Sequence, residues 1–248
     1  MRVRLLVAYD GSCFSGFARN DGVVTVAGTL EEHLGDVLGA PVTITCAGRT
    51  DKGVHANGQV VSFDAPDGAD PARLQRSLNA RAAGRVVVRE ATTVDDDFDA
   101  RFSARWRRYR YTVVNRPVPD LALSHRSWYV EDELSLAAMR QACLPIIGTH
   151  DFACFCRRPK RADGTEASLV RNVLAADWTG HAGDILCFEI RATAFCHQMV
   201  RSIVGTLVDV GRGRLTAAAV TGIIAGGDRR NAGQIAPPQG LCLEEVGY

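Results

Sequence analysis

The sequence predicts an α+β protein of two halves, residues 1–104 and 105–248, whose mainly antiparallel sheets carry flanking helices. Three observations lead there. Segments with two-residue alternation recur along the whole chain. Helical periodicity appears between them. The order of the first half reads βαββαβ, as in a ferredoxin-like or RNA-recognition-type unit.

In "RVRLLVAYD" at the N-terminus, Val3, Leu5, Val7 and Tyr9 point one way while Arg2 and Arg4 point the other. A helix follows, carrying Leu30, Leu34, Val37 and Leu38. "VTITC" (42–46) and "QVVSFD" (59–64) read as strands. Asp70 and Pro71 open a second helix, with Leu74 and Leu78 on one face, because an Asp cap before proline satisfies a helix start. "RVVVRE" (85–90) closes the first half as a strand.

The second half repeats the style without the letters. "WRRYRYTVVN" (106–115) is a long strand and "SLAAMRQACLPII" (135–147) a helix. "VRNVLAADW" (170–178) and "ILCFEIRATAF" (185–195) make a hairpin, with Leu186, Phe188, Ile190, Ala192 and Ala194 on one face. An apolar helix holds Met199, Val200, Ile203, Val204, Leu207 and Val208, and Gly211 and Gly213 end it. A shorter helix from Thr216 stops at Gly226 and Gly227, and "LCLEEV" (241–246) is the last strand.

Composition narrows the function classes. The 248 residues are 46% hydrophobic and 23% charged, ordinary for a water-soluble globular protein with a sizeable core. "LTAAAVTGIIAGG" (215–227) is the longest uncharged apolar stretch and is too short to span a bilayer; the N-terminal apolar run is broken at Asp10. A cytoplasmic protein is the expectation. Cysteines number eight with no Cys-x-x-Cys pair, which favours buried thiols over a metal centre. Cys143, His150, Cys154 and Cys156 are the residues a zinc ion would need, but a single Cys-x-Cys is weak spacing.

Net charge is only +1, yet it is unevenly placed. "RFSARWRRYR" (101–110) holds five arginines, and "RRPKR" (157–161) is a second cluster. Guanidinium forks suit phosphate, so Arg105, Arg107, Arg108, Arg110, Arg157 and Arg158 are candidate RNA phosphate contacts. A solvated strand face is the plain alternative.

"GRTDKGVHANGQ" (48–59) sets Arg49, Asp51, Lys52 and His55 among three glycines. An ordinary turn needs one Asp and one Gly and has no use for the rest. Extended backbone would put Arg49 and Asp51 on one face, as a surface ion pair or as a working carboxylate beside a permanent cation. His55 is an acid, a base or a holder of loop backbone.

Six segments together strongly resemble the bacterial tRNA pseudouridine synthase A family. They are "YDGSCFSGF" (9–17), "AGRTDKGVHANGQVVSF" (47–63), "FDARFSARWRRYRY" (98–111), "GTHDFACF" (148–155), "AFCHQMVRSIVG" (194–205) and "GLCL" (240–243), in family order over nearly the whole chain. Phe17 stands where the family more often has Trp, and Lys52 where a small residue is common. The resemblance implies the pseudouridine synthase fold: two pseudo-related halves joining an antiparallel sheet, with a central catalytic cleft. It implies a homodimer that isomerises uridine to pseudouridine at positions 38 to 40 of the tRNA anticodon arm. Asp51 is then the nucleophile, Arg49 its partner, and Tyr109 the aromatic residue that meets the target base.

That reaction exchanges an N–C for a C–C bond and gains no electrons or atoms. No nucleotide cofactor or metal is therefore expected, consistent with a chain lacking a dinucleotide fingerprint or a P-loop. Arg201, one helical turn beyond His197, faces the RNA or the Asp51 loop, and Leu241 forms part of an apolar pocket wall. The rival readings are a silent RNA-binding module and a nucleosidase that releases uracil.

Overall fold

The computed structural model describes residues 1–157 and 167–248. Their packing divides the chain into two compact units, Met1–Arg105 with Cys242–Tyr248, and Trp106–Leu241.

The first unit opens with β1 (Arg2–Tyr9), whose Val3, Leu5, Val7 and Tyr9 are buried, alternating with half-buried neighbours. Helix α1 (Val26–Leu38) starts at Thr25, whose side chain accepts from Gly28 N–H, and stops at left-handed Gly39. It buries Val26, Ala27, Leu30 and Leu34. A short β2 (Thr45–Cys46) leads through the motif loop into β3 (His55–Asp64). Asp70 caps α2 (Pro71–Ala82), which lays Leu74 and Leu78 inward, and β4 (Val86–Val94) follows. β1 lies antiparallel between β3 and β4, and β2 pairs antiparallel with β3, giving the order β4-β1-β3-β2. β3 is buried on both faces, and its polar His55, Gln59 and Ser62 are buried with the apolar residues. It starts four residues before the predicted strand, because Ala56 already pairs with Tyr9.

The second unit begins with β5 (Trp106–Val114), then β6 (Trp128–Tyr129), α3 (Leu136–Cys143) and β7 (Gly148–Asp151). β8 (Val170–Gly180) and β9 (Ile185–Ala192) form the predicted hairpin. Neighbours run β5-β9-β8-β7, all antiparallel, with β6 parallel beside β5. Helix α4 (Met199–Gly211) is buried along almost its whole length. A Cβ at its Gly205 would run into the Gln234 carbonyl, so a bare backbone lets the 234–236 segment lie against the helix. Helix α5 (Ala217–Gly226), capped by Thr216, ends at left-handed Gly227.

The last strand, β10 (Leu241–Gly247), runs parallel to β3, with Cys242 opposite His55 and Leu243 opposite Ala56. Residues 242–248 thus belong with the first unit. Asn57 fastens the strand by donating to both oxygens of Glu244 (3.2 and 3.1 Å). Among the described residues no helix is long and apolar enough to cross a membrane.

Candidate active site

The loop between β2 and β3 is held from inside by three polar side chains. Gln59, with no exposed surface, donates from Nε2 to Gly48 O (2.6 Å) while its Oε1 accepts from Gly48 N–H (3.4 Å). The same Nε2 donates to the Tyr9 hydroxyl (3.4 Å), which is 2.8 Å from Thr50 Oγ1. Both Tyr9 and Thr50 are buried. Burial pushes the Tyr9 phenol well above its ordinary range, with the bonds to Thr50 and Gln59 opposing, so the hydroxyl stays neutral. With Thr50 turned inward, its neighbours turn out: Arg49 is exposed and Asp51 half-exposed. The backbone then reverses at Gly53 (φ +80°), where Val54 N–H donates to Asp51 O (3.1 Å).

The N-terminal motif forms the other wall of this loop. Phe17 N–H donates to Thr50 O (3.0 Å), and Gly16, at φ +110°, passes beside that carbonyl. A Cβ on Gly11 would collide with the Val54 carbonyl. The two motifs are therefore one structure, and glycine is needed where they touch. His55 is 2% exposed beneath them, its Nδ1 accepting from Gly11 N–H (3.1 Å) with Asp10 Oδ1 at 3.2 Å. That placement makes it a support of the loop rather than a group turned to solvent. Cys46, at the entry to the loop, is pushed up to about 11 by burial, against the charges of Arg49 and Arg101.

In the second unit, β5 sends Arg107, Tyr109, Tyr111 and Val113 inward. Tyr109 is 7% exposed, and its ring meets Phe195 edge-on at 5.1 Å and 88°. Tyr111 is wholly buried and donates to Pro237 O (2.7 Å), a core residue. Arg107 is 8% exposed, lies on the inward face of this alternating strand and donates to Thr193 O (2.8 Å), unlike the other described arginines read as phosphate contacts. Arg108 and Arg110 lie on the outward face and share Glu189 on β9, at 3.3 Å and 2.7 Å. Arg105 and Arg157 are exposed; Arg158 lies outside the described residues. Arg201 Nε donates to Ala236 O (2.8 Å), tying α4 to the segment before β10, and Leu241 is buried.

Among the described residues no group of three or more His, Cys, Asp or Glu side chains could hold a metal ion. Cys143 bonds to Met139 O inside its own helix (3.3 Å).

A family profile described as tRNA pseudouridine synthase matches residues 5–103 and 142–248. The chain belongs to the tRNA pseudouridine synthase family. Its relatives agree along their full lengths. The tRNA pseudouridine synthase A of Syntrophotalea carbinolica is 40% identical over 247 residues, covering 99% of this chain and 96% of the relative. That of Dechloromonas aromatica is 41% identical over 249 residues, covering 100% and 93%. The enzyme of that name from Acetivibrio thermocellus is 36% identical, covering 99% of each chain. Pseudouridine synthases are isomerases, converting uridine to pseudouridine in tRNA, and this chain is an enzyme of that class.

Sequence reasoning singled out the charged residues of this synthase and missed the polar ones beneath them. Tyr9, Thr50 and Gln59 set the loop, yet each reads in sequence as an ordinary strand or loop residue. The usable signal was Gln59 itself, a large polar side chain at the head of the Val60-Val61 step, which once buried had to find partners.

Proposed function

We propose that the chain is a tRNA pseudouridine synthase acting on the anticodon stem-loop, at positions 38 to 40, with Asp51 as nucleophile. The observation that carries this reading is the loop geometry. Thr50 is locked inward, so Arg49 and Asp51 are presented outward on a fixed backbone, inside a chain of this family. A carboxylate held in this way attacks one carbon of the nucleotide, C6 of the base or C1′ of the sugar, and forms a covalent intermediate. The N1–C1′ bond breaks, the base turns, C5 bonds to C1′, the bond to Asp51 breaks and returns the free carboxylate, and a proton leaves C5 while N1 gains one. Arg49 is proposed as the permanent cation that partners this carboxylate.

The target base must leave its stack, at a cost of about a few kcal/mol. Tyr109 is proposed to recover part of that by meeting the flipped base, and Phe195 edge-on against it supports a fixed ring plane. Arg201 and Leu241 are proposed to shape the pocket. Arg105, Arg108, Arg110 and Arg157 are proposed to meet phosphates. The neighbour order β4-β1-β3-β2 supports a ferredoxin-like reading of the first half.

The test is tRNA bearing labelled uridine, incubated with wild type and with Asp51→Asn. Wild type should yield pseudouridine. Asp51→Asn should yield none while its tRNA affinity stays within about tenfold, or roughly 1.4 kcal/mol. Unchanged uridine from wild type would mean a silent binding module, and free uracil a nucleosidase. Pseudouridine from Asp51→Asn, with deamidation excluded, would remove Asp51 from the mechanism.

A further inference from the structure

We propose that Phe102, with Arg101 laid over its ring, is a stacking platform for an unpaired or splayed base of the tRNA, one other than the base to be isomerised. This role rests on tRNA being the substrate, and not on Asp51 or on which position is modified.

Phe102 is the odd aromatic of this chain. It is 80% exposed, whereas no other Phe, Trp or Tyr among the described residues is exposed. Scattered apolar side chains at a surface need no explanation by themselves. This one is held in place. Asp99 Oδ1 accepts from the backbone N–H groups of Arg101 (2.7 Å) and Phe102 (2.8 Å). Asp99 N–H donates to Ser103 Oγ (3.0 Å), and Ser103 N–H donates back to Asp99 O (2.9 Å). These bonds close the turn 99–103 on itself, so its backbone is set before a ligand arrives and little order remains to be imposed on binding.

The turn is also fastened to the sheet of the first unit. Ala100 N–H donates to Ser62 Oγ on β3 (3.1 Å), and the Tyr248 hydroxyl donates to Ala100 O (2.8 Å). Arg2 on β1 donates from Nε to Phe98 O (2.9 Å), and the Phe98 ring packs on that of Tyr248 at 4.9 Å. Ser62 pairs with Thr45 of β2, the strand that enters the Asp51 loop. Gln59, which grips Gly48 of that loop, lies three residues back along β3, about 10 Å at the rise of a strand. Loop and platform therefore stand on the same strand, within reach of one RNA.

The surrounding charge selects a base over a phosphate. The Asp99 carboxylate is spent on the turn, with Arg2 Nη2 at 3.9 Å from its second oxygen. Asp95, Asp96 and Asp97 are exposed just upstream and repel a phosphate backbone. A flat ring with the Arg101 guanidinium 5.2 Å from its centre suits the face of a base, since every base has a π face and a cation on one side leaves the other side open. RNA presents such bases in loops and where a stem is opened. The exposed chain neighbours Arg101, Ser103 and Arg105 are polar, which is not the apolar patch that a protein interface centres on.

The experiment measures tRNA binding by fluorescence anisotropy for the full chain and its Phe102 variants across a salt series. Phe102→Ala should weaken binding about fivefold to a hundredfold. The slope of log affinity against log salt should hold, because no phosphate contact is lost. Phe102→Trp should match or exceed wild type, and Phe102→Leu, apolar but without a π face, should bind like the Ala variant. At so exposed a position the melting temperature should stay near that of wild type throughout. Unchanged affinity in Phe102→Ala would overturn the platform, and so would Phe102→Leu binding as tightly as wild type, which would mean plain apolar contact. A changed oligomeric state of Phe102→Ala in light scattering would make the ring a protein contact and overturn it too. A wild type that binds no tRNA would instead overturn the substrate, and the platform with it.

Discussion

Thr50 carries one hydroxyl, and that hydroxyl decides which way its neighbours face. It closes a buried chain from Gly48 through Gln59 and Tyr9. Thr50→Val keeps the shape and removes the bond, leaving the buried Tyr9 hydroxyl without that partner at a cost of about 1–3 kcal/mol. If that cost is relieved by loosening the loop, the misplacement falls on Asp51. The expected outcome is a kcat about tenfold lower or worse, with tRNA affinity changed less than about threefold. Thr50→Ser should return kcat to near the wild-type value. A Thr50→Val enzyme with wild-type kcat in single-turnover assays would show that the chain of bonds is structural only. The charged part of this site was legible because glycines, Arg49 and Asp51 make no sense as a plain turn. The inner part was not, since pairing Thr50 with Tyr9 needs a contact across forty-one positions that no local pattern encodes.

Strand β5 shows where element-scale reading succeeds and where it stops. The two-residue period of a strand puts Tyr109 and Tyr111 on one face, as the structure has them. The same alternation puts Arg107 with the tyrosines, but reading the arginines as a cluster hid this. Strands β6 and β7, of two and four residues, are too short to show a period. The partner of β10 was out of reach, because a parallel neighbour at the opposite end of the chain leaves no local sign. On the outer face of β5, Glu189 accepts from Arg110 Nε and Nη2 (2.9 and 2.7 Å) and from Arg108 (3.3 Å). Burial works against its charge, but the bonds and charges of Arg110 and Arg108 prevail and hold it below the ordinary carboxylate range. A depressed carboxylate contributes stability that is full above its unfolded value, about 4.3, and fades as pH falls through the folded value. Since the pair is partly solvated, its worth is under about 1 kcal/mol. Glu189→Gln should therefore melt slightly below wild type at pH 7, and the gap should close under acid; a gap that widens on acidification would contradict this.

At the scale of the whole molecule, a net charge of +1 on 248 residues gives little general attraction for RNA, so affinity must come from where the arginines stand. Arg105 and Arg157 are exposed, and Arg108 and Arg110 are tethered to Glu189 but partly open to solvent. We propose that two copies join their surfaces, so that a single tRNA touches both. Each phosphate contact on duplex nucleic acid adds about 0.9 to the slope of log affinity against log salt. Changing Arg105 and Arg108 to Ala should therefore flatten the slope by up to about 1.8, while the melting temperature holds. Arg107→Ala should do the reverse, lowering the melting temperature by removing a buried bond to Thr193 while leaving the slope nearly intact. Light scattering at assay concentration should find a dimer. An active monomer would remove the joined surface, and an unchanged slope in the Arg105 and Arg108 variant would move the phosphate contacts to other residues. A slope near zero in wild type would point to a substrate smaller than tRNA.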